Sequence, residues 1–123
     1  MEAGMPGGGP SSGVALDPQT PRDTALAIIN LQTFAGSWTA NDLEYLMRLM
    51  GMGNLSSLIS GTAGHSPEAL LTAIVVRFLE KRIAGEKDIW ELVVDKARAW
   101  IQTEVLDEEV AKQLWMQAEQ AFH

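Results

Sequence analysis

The chain has 123 residues, no cysteine, and sixteen acidic residues against nine basic ones, for a formal net charge of −7. That length suits one domain with one hydrophobic core; the lack of cysteine excludes a disulfide framework and any thiolate metal site. The scattered bases form no row that would neutralise phosphates, which disfavours nucleic acid and an anionic membrane surface as partners. A basic stretch followed by an apolar run is missing at the N-terminus, so a signal peptide is not expected. The most apolar window, Ala69 to Leu79, is interrupted by Arg77 and falls short of the ~20 residues a membrane span needs. A cytoplasmic protein is the expectation from these features together.

Residues 1–20 are rich in Gly, Pro and Ser and lack the apolar periodicity that offsets ordering entropy, so they read as a disordered leader or linker. Residues 21–123 read as one helical domain. Thr20 is placed to cap a helix that starts at Pro21, with Asp23 in the first turn; Ala25, Ile28, Ile29 and Gln32 follow at helical spacing. The next segment, "LQTFAGSW" (Leu31–Trp38), reads as a corner. Gly36 is the candidate left-handed stop, Phe34 is expected to pack inward from the closing turn, and Trp38 precedes a Thr39 cap, from where it would staple onto Leu43. Asp42 occupies the capping-box position of that second helix. Leu43, Leu46, Met47 and Met50 form its stripe, and Gly51 is a left-handed stop. A short helix with Leu55, Leu58 and Ile59 inward comes next.

Ser66-Pro67-Glu68 is a strong start signal: a capping Ser, Pro at the first helical position, and an acid at the positive end. The helix it opens runs to Ala84 and is apolar nearly all round from Ala69 to Leu79, apart from Thr72 and Arg77. Such a helix belongs in the middle of a bundle. Glu86 to about Gln102 is the next helix, with Ile89, Leu92, Val93, Ala97, Trp100 and Ile101 assigned to one face. Asp107 caps the last, whose stripe is Val110, Ala111, Leu114, Trp115, Ala118 and Phe122. Alternating runs that would make strands do not occur. The fold class is therefore all-α, a compact bundle of about five helices, with the short segment as a minor sixth.

Chemistry is hard to place on this chain. A nucleophile needs a base within reach, and the two histidines are His65, read as a solvated loop residue, and the terminal His123. Glu108 and Glu109 are adjacent in a first helical turn and do not face each other. There is no P-loop, dinucleotide glycine pattern or metal-ligand spacing. The expectation is a non-enzyme with no cofactor, no metal and no catalytic residue. The runs Glu80-Lys81-Arg82 and Glu86-Lys87-Asp88 around Gly85 read as a solvated hairpin, and Asp95 with Arg98 as a helix-surface pair. Met47 and Met50 fit core packing, but together with Met52 they also suit an adaptable partner surface. Trp90 and Trp100 are roughly 80° apart on a helical wheel, which puts Trp90 toward the edge of the apolar face. Packing is the favoured role for it, with a contact anchor as the alternative. The candidate partner-contact residues are Trp90, Met47, Met52 and Trp115.

"ALAIINLQTFAGSW" (Ala25–Trp38), "SPEALLTAIVVRFLEKRI" (Ser66–Ile83) and "WELVVDKARAWI" (Trp90–Ile101) occur in this order. As a set they resemble the C-terminal region of large proteins that carry a VIT domain followed by a von Willebrand factor A domain. The vault poly(ADP-ribose) polymerase ends in a related region, which binds the major vault protein. The likeness covers roughly residues 24 to 101, and the last helix is not matched. It implies a small helical protein-interaction domain that docks onto a large partner, with major vault protein as the candidate, and it brings no catalytic residues with it. The alternative is a structural or self-associating C-terminal helical domain of such a protein. The oligomeric state is left open.

Overall fold

The computed structural model describes residues 20–60 and 65–122. The leader assigned to residues 1–20 lies outside them except for Thr20, and so does His123. Six α-helices follow one another: α1 (Pro21–Asn30), α2 (Leu43–Met50), α3 (Leu55–Ser60), α4 (Pro67–Arg82), α5 (Lys87–Glu104) and α6 (Glu108–Gln120), with 3-10 turns at Ala40–Asp42 and Ala84–Glu86. Among the described residues there is no strand. The fold is all-α, five main helices and the short α3, and no helix among the described residues is long and apolar enough to cross a membrane.

The helix starts follow from local chemistry. Thr20 Oγ1 accepts the Asp23 amide at 3.0 Å, Ser66 Oγ accepts the Ala69 amide at 3.0 Å, and Asp107 Oδ1 accepts the amides of Glu109 and Val110 at 2.8 and 3.3 Å. Each satisfies donors that the first turn of a helix leaves unpaired. Helix α2 departs from expectation. Neither Thr39 nor Asp42 makes a side-chain cap bond, because residues 40–42 wind as a 3-10 turn ahead of the α-helix. Its far end is as predicted, with Gly51 left-handed at φ +68°.

Helix α4 is the axle. Every residue from Ala69 to Leu79 except Arg77 is buried, and α4 packs chiefly against α5 and α6, and against α3. An all-round apolar helix is stable only when neighbours cover its whole circumference. Thr72, polar yet 0% exposed, is explained by its hydroxyl, which accepts the Trp38 backbone N–H at 3.0 Å. Thr72→Val keeps the shape and removes the acceptor, leaving a buried N–H unpaired. The expected loss is about 1–3 kcal/mol, read from the urea-denaturation midpoint.

The apolar face of α5 is turned from the predicted one. Its buried residues are Trp90, Val94, Ala97 and Ile101, which fall on one line of the helix. Leu92 lies on the far side of that line and is 80% exposed. Ile89, Val93 and Trp100 are intermediate. The predicted stripe combined two faces: one meets α4, and the other meets α1 and the corner loop.

Candidate interaction surface

The corner Leu31–Trp38 is built from side chain to backbone. Helix α1 closes at Leu31, whose amide donates to the Ile28 carbonyl at 3.0 Å while the Gln32 amide donates to the Ile29 carbonyl at 3.1 Å. Gly36 therefore does not stop the helix; it has φ +113° in the turn beyond, where its amide donates to the Thr33 carbonyl at 3.0 Å. The Gln32 amide group donates to the Gly36 carbonyl at 3.0 Å and to the Val93 carbonyl at 3.1 Å, which straps the corner to α5. Ser37 is fully buried, pairs with the Thr33 hydroxyl at 2.9 Å, and donates to the Glu68 carboxylate at the start of α4. Trp38 is 0% exposed and its indole N–H donates to the Ile28 carbonyl at 2.9 Å. A structural corner is what the residues form. Phe34 corrects the expectation of inward packing: it is 96% exposed, with only the Lys96 ammonium 5.2 Å from its ring.

The four candidate contact residues separate in the fold. Trp90 is 5% exposed and its indole N–H donates to the Ile83 carbonyl at 2.7 Å. What remains of its surface forms part of the floor of a groove with Glu80, Val94 and Arg98. It is a core residue, because the line Trp90–Val94–Ala97–Ile101 faces α4, not the edge position that would present it to a partner. Met52 also joins the core, at 9% exposure, and Met47 is half-buried against it. Neither stands out as a contact anchor. Trp115 differs from them: it is half-buried, with two arginines over its ring.

That setting joins α4, α5 and α6. The guanidinium carbons of Arg77 and Arg98 lie 4.8 and 4.9 Å from the Trp115 ring centre, within cation–π range. Glu80 binds both arginines, Arg77 at 2.8 Å. Glu119 serves Arg77 at 3.5 Å and also Lys81. Two carboxylates thus hold three cations, and the cluster keeps one positive charge. A shallow groove of about 460 Å³ runs along one side of Trp115, past Arg77, Arg98, Lys112 and Met116. A second, of about 350 Å³, lies along the other, past Arg98, Ile101, Val105, Leu106 and Glu108. Leu106 is 84% and Met116 56% exposed.

Sequence reasoning missed this cluster. Arg77 and Glu80 are one helical turn apart and could have been paired by spacing. Arg98 was assigned to Asp95, whereas the fold gives it Glu80, eighteen residues away. Nothing local encodes that choice. Glu80 and Lys81 of the supposed solvated hairpin belong to this cluster, while Glu86 reaches Arg22 at 3.3 Å.

His65 is half-buried rather than solvated, and its Nδ1 has no partner among the described groups. No three His, Asp or Glu side chains among the described residues come together to hold a metal. No protein-family model matches the chain, and no curated protein or solved structure matches it.

Proposed function

We propose that this chain is a non-catalytic protein-interaction module that docks its host onto a large partner, with the shell of the vault particle, major vault protein, as the leading candidate. The observation that carries an interaction role is the half-buried Trp115 under two arginines, with Met116 and Leu106 exposed beside it. Tryptophan and arginine are the residues most enriched where binding energy concentrates. The vault assignment rests on the resemblance of the three segments between Ala25 and Ile101. A cytoplasmic setting and the absence of nucleic acid from the partner list belong to the same reading, the latter supported by the net charge of −7.

The test is co-sedimentation of the full chain with vault particles assembled from major vault protein. Co-pelleting at micromolar concentration supports the assignment; no retention removes the vault as partner. His65→Ala should leave binding unchanged in this assay, because the residue sits away from Trp115 on the chain's start of α4. A large loss would reopen a catalytic or ligand role for it.

One observation favours the alternative of self-association. Phe34 and Leu92 are 96% and 80% exposed, and Leu92 is one helical turn from Lys96, whose ammonium lies 5.2 Å from the Phe34 ring centre. Light scattering over a dilution series decides it: a constant dimer lost in Phe34→Ser or Leu92→Ser supports self-association, and a monomer throughout rejects it.

A further inference from the structure

We infer that the surface centred on Trp115 is a docking site for an acidic peptide segment that carries an aliphatic or aromatic anchor residue. The inference rests on the interaction-module reading above and gives it a binding face and a partner chemistry.

Charge is the first argument. The chain as a whole is strongly acidic, with nine basic residues in all, yet Arg77, Arg98 and Lys112 converge on one groove that holds a single carboxylate, Glu119. Within the cluster, the two carboxylates Glu80 and Glu119 are shared among Arg77, Arg98 and Lys81. Lys112 is held only loosely, 3.9 Å from Glu109, with its side chain 70% exposed. A guanidinium presents several N–H donors in a planar fork that matches a carboxylate, and the bonds described for Arg98 go to Glu80 alone. Arg98 and Lys112 therefore have donors left for carboxylates arriving from outside. The second groove carries Glu108 beside Arg98, so the positive surplus lies on the Arg77–Lys112 side, where a basic segment would be repelled.

Shape and polarity supply the second argument. Trp115 stands between the two grooves, and Arg98 lines both. The exposed Met116 lies on one side and the exposed Leu106 on the other. Met adapts to varied apolar shapes, and the Trp115 ring is already fixed by the cations over it. An apolar anchor set against Trp115 and Met116, flanked by acids that reach Arg98 and Lys112, uses each of these features. This surface is also separate from the Phe34–Leu92 patch, which lies on the α1 side of α5.

The experiment is selection of displayed random peptides on the full-length chain, followed by anisotropy titration of a selected peptide. Enrichment of peptides that are net negative and contain Leu, Ile, Phe or Trp is expected. Binding should weaken about tenfold or more in Lys112→Glu, be kept in Lys112→Arg, and fall as salt rises, since exposed charges are screened. Arg98→Glu should act in the same direction; because it also loses Glu80, it is read only alongside its melting curve. Phe34→Ser and Leu92→Ser should bind as the parent does. Selection of neutral or basic peptides, no enrichment at all, or acidic peptides that bind Lys112→Glu as tightly as the parent would overturn the inference. The two proposals fail separately. Vault co-sedimentation unaffected by Lys112→Glu removes this docking face and keeps the module, while peptide selection without vault binding removes the vault and keeps the face.

Discussion

Trp38→Ala should destabilise the protein by about 4 kcal/mol, near the upper end of what removing a large aromatic from a core costs. Two facts set the size. The ring is 0% exposed, and its indole N–H holds the Ile28 carbonyl. The substitution leaves a cavity where α1, the corner and α4 meet, and strips the Ile28 carbonyl of its bond to the indole. Domains of this size have about 5–15 kcal/mol in total, so the variant should unfold at a much lower urea concentration, measured by circular dichroism. Trp38→Phe retains most of the volume and loses only the indole bond, so its cost should be about 1–2 kcal/mol. Partner binding should fall in Trp38→Ala only as the folded fraction falls. Binding lost with the melting curve unchanged would make Trp38 a contact residue after all.

Gly36→Ala should cost about 2–3 kcal/mol, more than an ordinary surface substitution by a wide margin. Two penalties coincide. The backbone holds φ +113°, a region that side-chain-bearing residues rarely adopt, and a Cβ there would stand 2.8 Å from the Lys96 carbonyl oxygen. The backbone of α5 would have to retreat, and with it the Gln32 bond to the Val93 carbonyl. Gly51 is the internal comparison. It is also left-handed, at φ +68°, but has nothing within 4 Å of the added atom, so Gly51→Ala should cost only about 1 kcal/mol. Thermal unfolding of the two variants side by side separates close packing from backbone conformation alone. Equal losses would mean that the contact with Lys96 carries no weight.

What could be read from the sequence was what is local. The caps at Thr20, Ser66 and Asp107 and the left-handed Gly51 depend on residues within one turn, and all four form as expected. The burial of α4 was legible because its run of apolar residues leaves no face for water. The α5 face was not, because that helix carries apolar residues on two sides and only the fold decides which meets α4. Thr39 failed as a cap for a related reason: a 3-10 turn intervened, and the three residues it takes up move the Thr39 oxygen away from the α-helix start at Leu43. Phe34 was misjudged because a large aromatic in a turn was assumed to seek the core, whereas the space beside Gly36 is filled by the Lys96 backbone. Of the candidate contact residues, Trp115 was named without its arginines. Pairs such as Arg98 with Glu80 arise from helix docking, and no spacing along the chain records them.

The arrangement around α4 also has a consequence for synthesis. The helix most in need of cover is made before α5 and α6, the two against which it chiefly packs. A growing chain must therefore carry an exposed run from Ala69 to Leu79 until the last helix has emerged. Folding of this unit is expected to be late and all at once, and a chain interrupted before residue 108 should be a substrate for chaperones rather than a smaller folded protein.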